Sequence, residues 1–246
     1  MFLDIDKEII AIIGKMSFYR NILTLNLKYK NCIPFLFTYE KVTLNVISRY
    51  TLDKSYYNSW YAMKKLDVLF AEKYFRPLKA FLERRKIPSP WQNYFKLCKN
   101  TKNYPPIFYL LIGINCHINS DLYECLCKLR YRHYEDFEKI NLILEELVDE
   151  ILTHLAFEDK DIIAFGGLVF KQIAHEEFKR VIVNWRNQAW ENYKRTTKEN
   201  FKTNLEMIKK QTEDLTLEIK KIFDELYIPQ NAINAITKLN SLNVTI

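Results

Sequence analysis

The chain has 246 residues, 48% of them hydrophobic and 27% charged, with only 4 glycines and 7 prolines. It is long enough to bury a real core, its composition excludes a disordered chain, and so few turn-formers exclude a hairpin-rich all-β domain. The net charge is +7, but lysine is spread along the whole sequence without a compact basic block, so nucleic-acid binding is not expected.

In chain order, an N-terminal helix is expected over residues 4–15, followed by an irregular link through Pro34 and a short helix over "YEKVTLNVISRY". A long helix follows in "SYYNSWYAMKKLDVLFAEKYFRPLKAFLERRK", with Pro77 as a kink because it cannot donate the helical hydrogen bond. A shorter helix comes after Pro90. Pro105 and Pro106 sit where a first helical turn tolerates proline, and open a helix reaching Lys128. Another helix runs over 133–155, Gly166 and Gly167 break the chain, and a further helix covers 168–199.

The last stretch carries Leu205, Ile208, Leu215, Ile219, Ile222 and Leu226 on a Lys/Glu-rich background, which is a long amphipathic helix. It packs on the bundle or serves as a homodimer contact. The expected architecture is all-α: a single-domain helical bundle over 1–200 with a C-terminal helical extension over 201–246 packing on it.

No run approaches the roughly 18 apolar residues of a membrane span. The longest, "IFYLLIGI" at 107–114, is soon interrupted by His117 and Asp121. The first residues mix Asp4, Asp6 and Glu8 with apolar ones, unlike a secretory signal, so a cytoplasmic protein is expected. Five cysteines, an odd number in a reducing compartment, are expected to be free packing residues.

Helical residues advance about 100° each, so faces can be read from spacing. In the helix from Pro105, the residues Ile107, Leu110, Leu111, Ile114, Ile118 and Leu122 share one stripe. Asp121 falls within it and His117 at its edge. In the next helix His133, Asp136 and Asn141 lie on or beside the face of Phe137, Ile140, Leu144 and Leu147. Asp67 sits among Trp60, Met63, Phe70 and Tyr74, and Arg186 lies beside the stripe of Phe178, Ile182 and Trp185.

An isolated buried charge costs several kcal/mol or more, so each inward carboxylate must be paired, protonated or bound to a metal. Two readings stay open. One is a structural network in which the carboxylates pair with the two histidines, Asn141 and Arg186. The other is a divalent-metal centre of His117, Asp121, His133 and Asp136, whose nitrogen and oxygen donors suit zinc, iron or manganese. His154 and His175 carry no matching pattern, and no phosphate loop or serine-histidine-aspartate order is visible.

The stretch "LLIGINCHINSDL" resembles the signature of a bacterial family of helical domains of unknown function, of the type L-x-x-G-x-N-x-H-I-N-x-D-L. The stretches "YEKVT", "LDVLFAEKYF", "PSPWQNYF", "HYEDFEKIN" and "WRNQAW" are similar to the family's other recurrent segments, in the same order over residues 39–190. The sequence after about residue 200 runs beyond that pattern. The resemblance singles out Asp67, Asn115, His117, Asn119, Asp121, His133, Asp136, Asn141, Arg186 and Trp190, which implies a location more than an activity. A more distant likeness is to helical zinc phospholipases C and single-strand nucleases. The chain lacks their N-terminal tryptophan ligand and their second histidine run, which argues against a trinuclear cluster.

The functional expectation is a divalent-metal-dependent enzyme acting on a small-molecule or lipid-like substrate. Asp67 is a further ligand or the general base, while Asn119, Asn141 and Arg186 orient ligands or hold an anionic group. Hydrolysis by a metal-activated water ranks above a non-haem iron oxygenase. The alternative from another class is a non-catalytic interaction protein whose inner polar groups only fix packing.

Overall fold

The computed structural model describes residues 7–100, 104–158, 168–225 and 241–245, and these are all helix, turn or irregular chain without a strand. The helices are α1 (Lys7–Thr24), α2 (Ile33–Leu52), α3 (Trp60–Leu82), α4 (Trp91–Cys98), α5 (Pro106–Ile114), α6 (Tyr123–Leu129), α7 (Tyr134–Glu158), α8 (Leu168–Lys194) and α9 (Phe201–Glu225). A 3-10 turn, Leu27–Cys32, leads into α2, and a π-helical segment, Asn115–Leu122, joins α5 to α6. The all-α expectation holds.

Several helix boundaries differ from the expected ones, among them the end of the helix from Leu168, which stops at Lys194 rather than 199. α1 continues to Thr24 rather than stopping near residue 15. α2 begins at Ile33, because Pro34 occupies the first turn, where its missing N–H is no loss. What reads as a link is the start of a 20-residue helix. α3 starts at Trp60, where the Ser59 side chain accepts from the Ala62 N–H as an N-cap. Gly166 and Gly167 lie outside the described residues.

The centre of the fold is the rod α5–π–α6. Every residue from 108 to 126 is buried, which a helix tolerates only when neighbours surround it. α2, α7 and α9 pack on α5. α3, α8 and α9 close on the π segment, and α3 and α8 continue on to α6. α1 covers α2 and α3 from outside. The stripe of α9 (Ile208, Leu215, Ile219 and Ile222) is buried in the chain's own bundle. The C-terminal residues also dock: the Trp185 indole N–H donates to Leu242 O at 3.0 Å, and Asn192 donates to Val244 O at 2.7 Å. All five cysteines are free, four of them buried. Among the described residues no helix is long and apolar enough to cross a membrane.

Candidate acid–base cavity beside the π segment

A cavity of about 90 Å³ lies between α2, α3, the π segment, α7 and α8. Its wall is aliphatic on the α7 and α8 side, with Ile140, Leu144, Val148 and Ile182, and aromatic toward the π segment, with Phe35, Tyr39 and Phe70. Into this wall the fold sets four ionisable groups: Asp67, His117, Arg186 and the Tyr39 phenol.

His117 is the best-defined of the four. Its Nδ1 meets Asp121 Oδ2 at 3.1 Å, one turn further along the rod. The same oxygen accepts the Trp91 indole N–H at 3.0 Å, so α4 holds the carboxyl from the opposite side. The other ring nitrogen, Nε2, is buried and has no hydrogen-bond partner. Nδ1 is tied to Asp121, and the imidazole is part of the cavity wall. Phe70 stacks on the imidazole, and Tyr39 and Phe35 meet it edge-on, with centroids at 4.6 and 5.5 Å. Burial drives the His117 pKa well below its ordinary value, so the ring is neutral. Burial also pushes the Asp121 carboxyl up, against the pull of the Trp91 N–H.

Asp67 projects from α3 into the same space. It is partly accessible, while Oδ2 is sealed and makes no hydrogen bond. Burial alone pushes its pKa up to about 7. The hydroxyls of Thr38, Tyr39 and Thr43 on α2 line the cavity and also lack ordinary hydrogen bonds. Tyr39 is held well above the usual phenol range by burial first and by the Asp67 charge second. Unpaired buried polar groups cost about 1–3 kcal/mol each. Five such groups stand around one apolar space, Tyr39 and Thr43 near enough for the threonine hydroxyl to act on the phenol.

The four residues expected to form a metal centre do not come together. Asp136 is fully buried, but both its oxygens are committed. Oδ1 accepts from the Asn58 backbone N–H at 2.7 Å and Oδ2 from the Ser59 N–H at 2.9 Å, so it ties down the lead-in to α3. Lys139 lies 3.4 Å from the same carboxylate. His133 is half-buried and rests edge-on against Tyr131. Among the described residues no three of His, Cys, Asp and Glu converge as a metal site would need.

Asn119 turns the other way, toward α9. It donates to Asn115 Oδ1 at 2.9 Å, and Asn115 in turn donates to Thr212 O and Thr216 Oγ1, both at 2.9 Å. Asn141 accepts from Arg186 Nε at 2.6 Å and so positions the arginine rather than facing the cavity itself. His154 stacks on Phe37, and the side chain of His175 lies outside the described residues.

Sequence reasoning missed Thr38, Tyr39 and Thr43 as wall residues and Trp91 as the donor to Asp121. Phe35, Tyr39 and Thr43 stand four apart, a signal that starting the helix at residue 39 concealed.

The fold and the site together define a helical-bundle protein with a buried apolar cavity edged by acid–base groups. Residues 15–224 match the model of DUF5995, a family of unknown function, and the chain belongs to that family. The match takes in α9, so the amphipathic helix after residue 200 is part of the family's own extent. No curated protein and no solved structure matches the chain.

Proposed function

We propose that the protein is an enzyme, a hydrolase, that moves protons on a small, mostly apolar substrate held in the cavity. The observation that carries this reading is the Nε2 of His117: buried, neutral, without a partner, and backed through Nδ1 by Asp121. With its proton on Nδ1, a neutral imidazole so held is a general base through Nε2 for a water or a substrate proton, and the carboxyl behind it fixes the ring. Asp67, with a pKa of about 7, is half protonated at neutral pH and is the complementary proton carrier. It delivers a proton to the leaving group as His117 takes one from water. The hydroxyls of Tyr39 and Thr43 supply donors for an oxygen on which negative charge builds.

One observation favours a metal-dependent variant of this reading. Metal-bound histidines commonly set their other nitrogen against a carboxyl group, and His117 Nδ1 stands 3.1 Å from Asp121 Oδ2. The protein ligands of a zinc, iron or manganese ion would then be His117 Nε2 and Asp67, without His133 or Asp136. Such an ion supplies an acidified water.

A panel of small aliphatic esters, from methyl acetate to ethyl propanoate, assayed by acid release with wild-type protein, His117→Gln and Asp67→Asn, tests both. Turnover that falls at least 100-fold in His117→Gln and resists a chelator supports the acid–base enzyme. Turnover lost to a chelator and restored by one divalent metal supports the metal variant. Absence of any His117-dependent turnover across ester, amide and epoxide panels leaves the non-catalytic alternative, a bundle whose inner polar groups are structural.

A further inference from the structure

Arg186 is 5% exposed and lines the cavity from α8. Its guanidinium lies over the Phe137 ring, 4.4 Å from the centroid. Nε donates to Asn141 Oδ1 at 2.6 Å, and Nη2 donates to Phe137 O at 3.1 Å. Both partners are neutral, and neither they nor the ring cancels the charge. Nη1 makes no hydrogen bond, yet it is not among the sealed atoms, so it remains reachable from open space. Among the described residues no carboxylate is in ion-pair contact with this cation.

Removing a cation from water without a counter-charge costs several kcal/mol, and proteins keep such a group buried where an anion completes it. Asp67, another ionisable wall residue, does not serve: it makes no hydrogen bond or ion pair with Arg186, and its Oδ2 has no partner. The cavity that both groups line is otherwise largely aliphatic, with Ile140, Leu144 and Ile182 in its wall.

We propose that the ligand is a small carboxylic acid, its carboxylate paired with Arg186 and its apolar body lying along α7 toward His117 and Asp67. A planar guanidinium with a free Nη1 edge matches a carboxylate, and the partners on Nε and Nη2 hold the fork in place to receive it. The volume limits the body. An apolar cavity of about 150 Å³ accepts benzene, so about 90 Å³ suits a chain of a few carbons rather than a membrane lipid. This inference rests on the proposed function only in placing the reacting end near His117; the anchoring of the acid stands on Arg186 alone.

The test is calorimetric binding to the full chain of a straight-chain series from butanoate to octanoate, beside the alcohol, primary amide and amine of each length. The expected result is that one acid binds at least tenfold more tightly than its amide and alcohol, and that the amine does not bind. In Arg186→Met, checked for folding by circular dichroism, the acid should lose that advantage while the alcohol binds as before. In His117→Gln the acid should still bind.

Equal binding of acid and amide by wild-type protein, or tighter binding of the amine, overturns the proposal without need of any variant. If acids lose while His117-dependent ester turnover persists, only the arginine anchor falls. If acids bind through Arg186 but no substrate turns over, the anchor stands and the enzyme reading falls.

Discussion

The ring of Phe70 lies flat on the imidazole of His117, with centroids 3.5 Å apart and planes 10° from parallel. This contact places an apolar lid over the face of the base and denies it water, which is why the ring resists protonation. The sign of the consequence is definite. Above about pH 6.5 neither the folded nor the unfolded histidine is charged. Below it the unfolded chain takes up a proton that the native ring refuses, so stability is lost as pH falls. Compared with His117→Gln, wild-type protein should lose about 1.4 kcal/mol for each pH unit below 6.5, read from urea midpoints. Phe70→Ala should move the His117 pKa back toward its ordinary value, followed by imidazole NMR shifts. A His117 titrating normally in wild-type protein contradicts the account.

Asp67 acts in the opposite sense. Its carboxyl is raised from 3.8 to about 7 in the folded protein. The stability tied to its neutral form is complete below about pH 4 and drains away as pH rises through 7. Asp67→Asn keeps the shape and removes the charge, so it should be more stable than wild type at pH 8, by about 2–4 kcal/mol. The gap should close toward pH 4. The same variant should abolish turnover under the proposed chemistry. A substitution that stabilises the fold and removes activity is the expected mark of a functional carboxyl.

Asp136 separates a structural carboxylate from a functional one. Both its oxygens accept backbone N–H groups ahead of α3. Asp136→Ala removes the acceptor of two part-buried N–H groups and should cost about 1–3 kcal/mol, with no change in divalent-metal uptake or in turnover per folded molecule. Loss of a stoichiometric metal in this variant, with the fold intact, would return Asp136 to the role of ligand.

These contrasts show what spacing reveals and what it hides. Periodicity placed Asp121 within an apolar stripe, Asp136 on or beside one and Arg186 next to one, and all three are buried. It also placed His117 at the edge of a stripe, although the rod is surrounded on every side and the π winding shifts the angular positions that a regular 100° step assigns. Burial, moreover, does not determine partners. Asp136 and Asp121 read alike in sequence, but one meets backbone N–H groups and the other meets His117 and Trp91. The lead-in to α3 and the approach of α4 are relations between distant parts of the chain, which local patterns do not encode. Pro34 hid the rest: taken as a break, it removed Phe35 and Thr38 from the helix that forms the cavity wall.

Gly113 supplies the last prediction. A Cβ built there would lie 2.6 Å from Phe35 Cγ and 2.9 Å from Phe35 Cβ. Those atoms are at the base of the side chain, so rotating the ring does not relieve the clash, and α2 itself must retreat from α5. Phe35 also packs edge-on to His117 and lines the cavity. Gly113→Ala should therefore cost about 1–3 kcal/mol by overpacking, despite alanine's better helix propensity. Because the displaced α2 also carries Tyr39 and Thr43, turnover should fall further than the loss of folded protein accounts for. In a chain that already carries Phe35→Ala, which removes Cγ and the ring, Gly113→Ala should cost less than it does in the wild type. Thermal midpoints of the two single variants and the double variant measure the coupling, and strict additivity of their effects would show that the glycine is not there to admit Phe35.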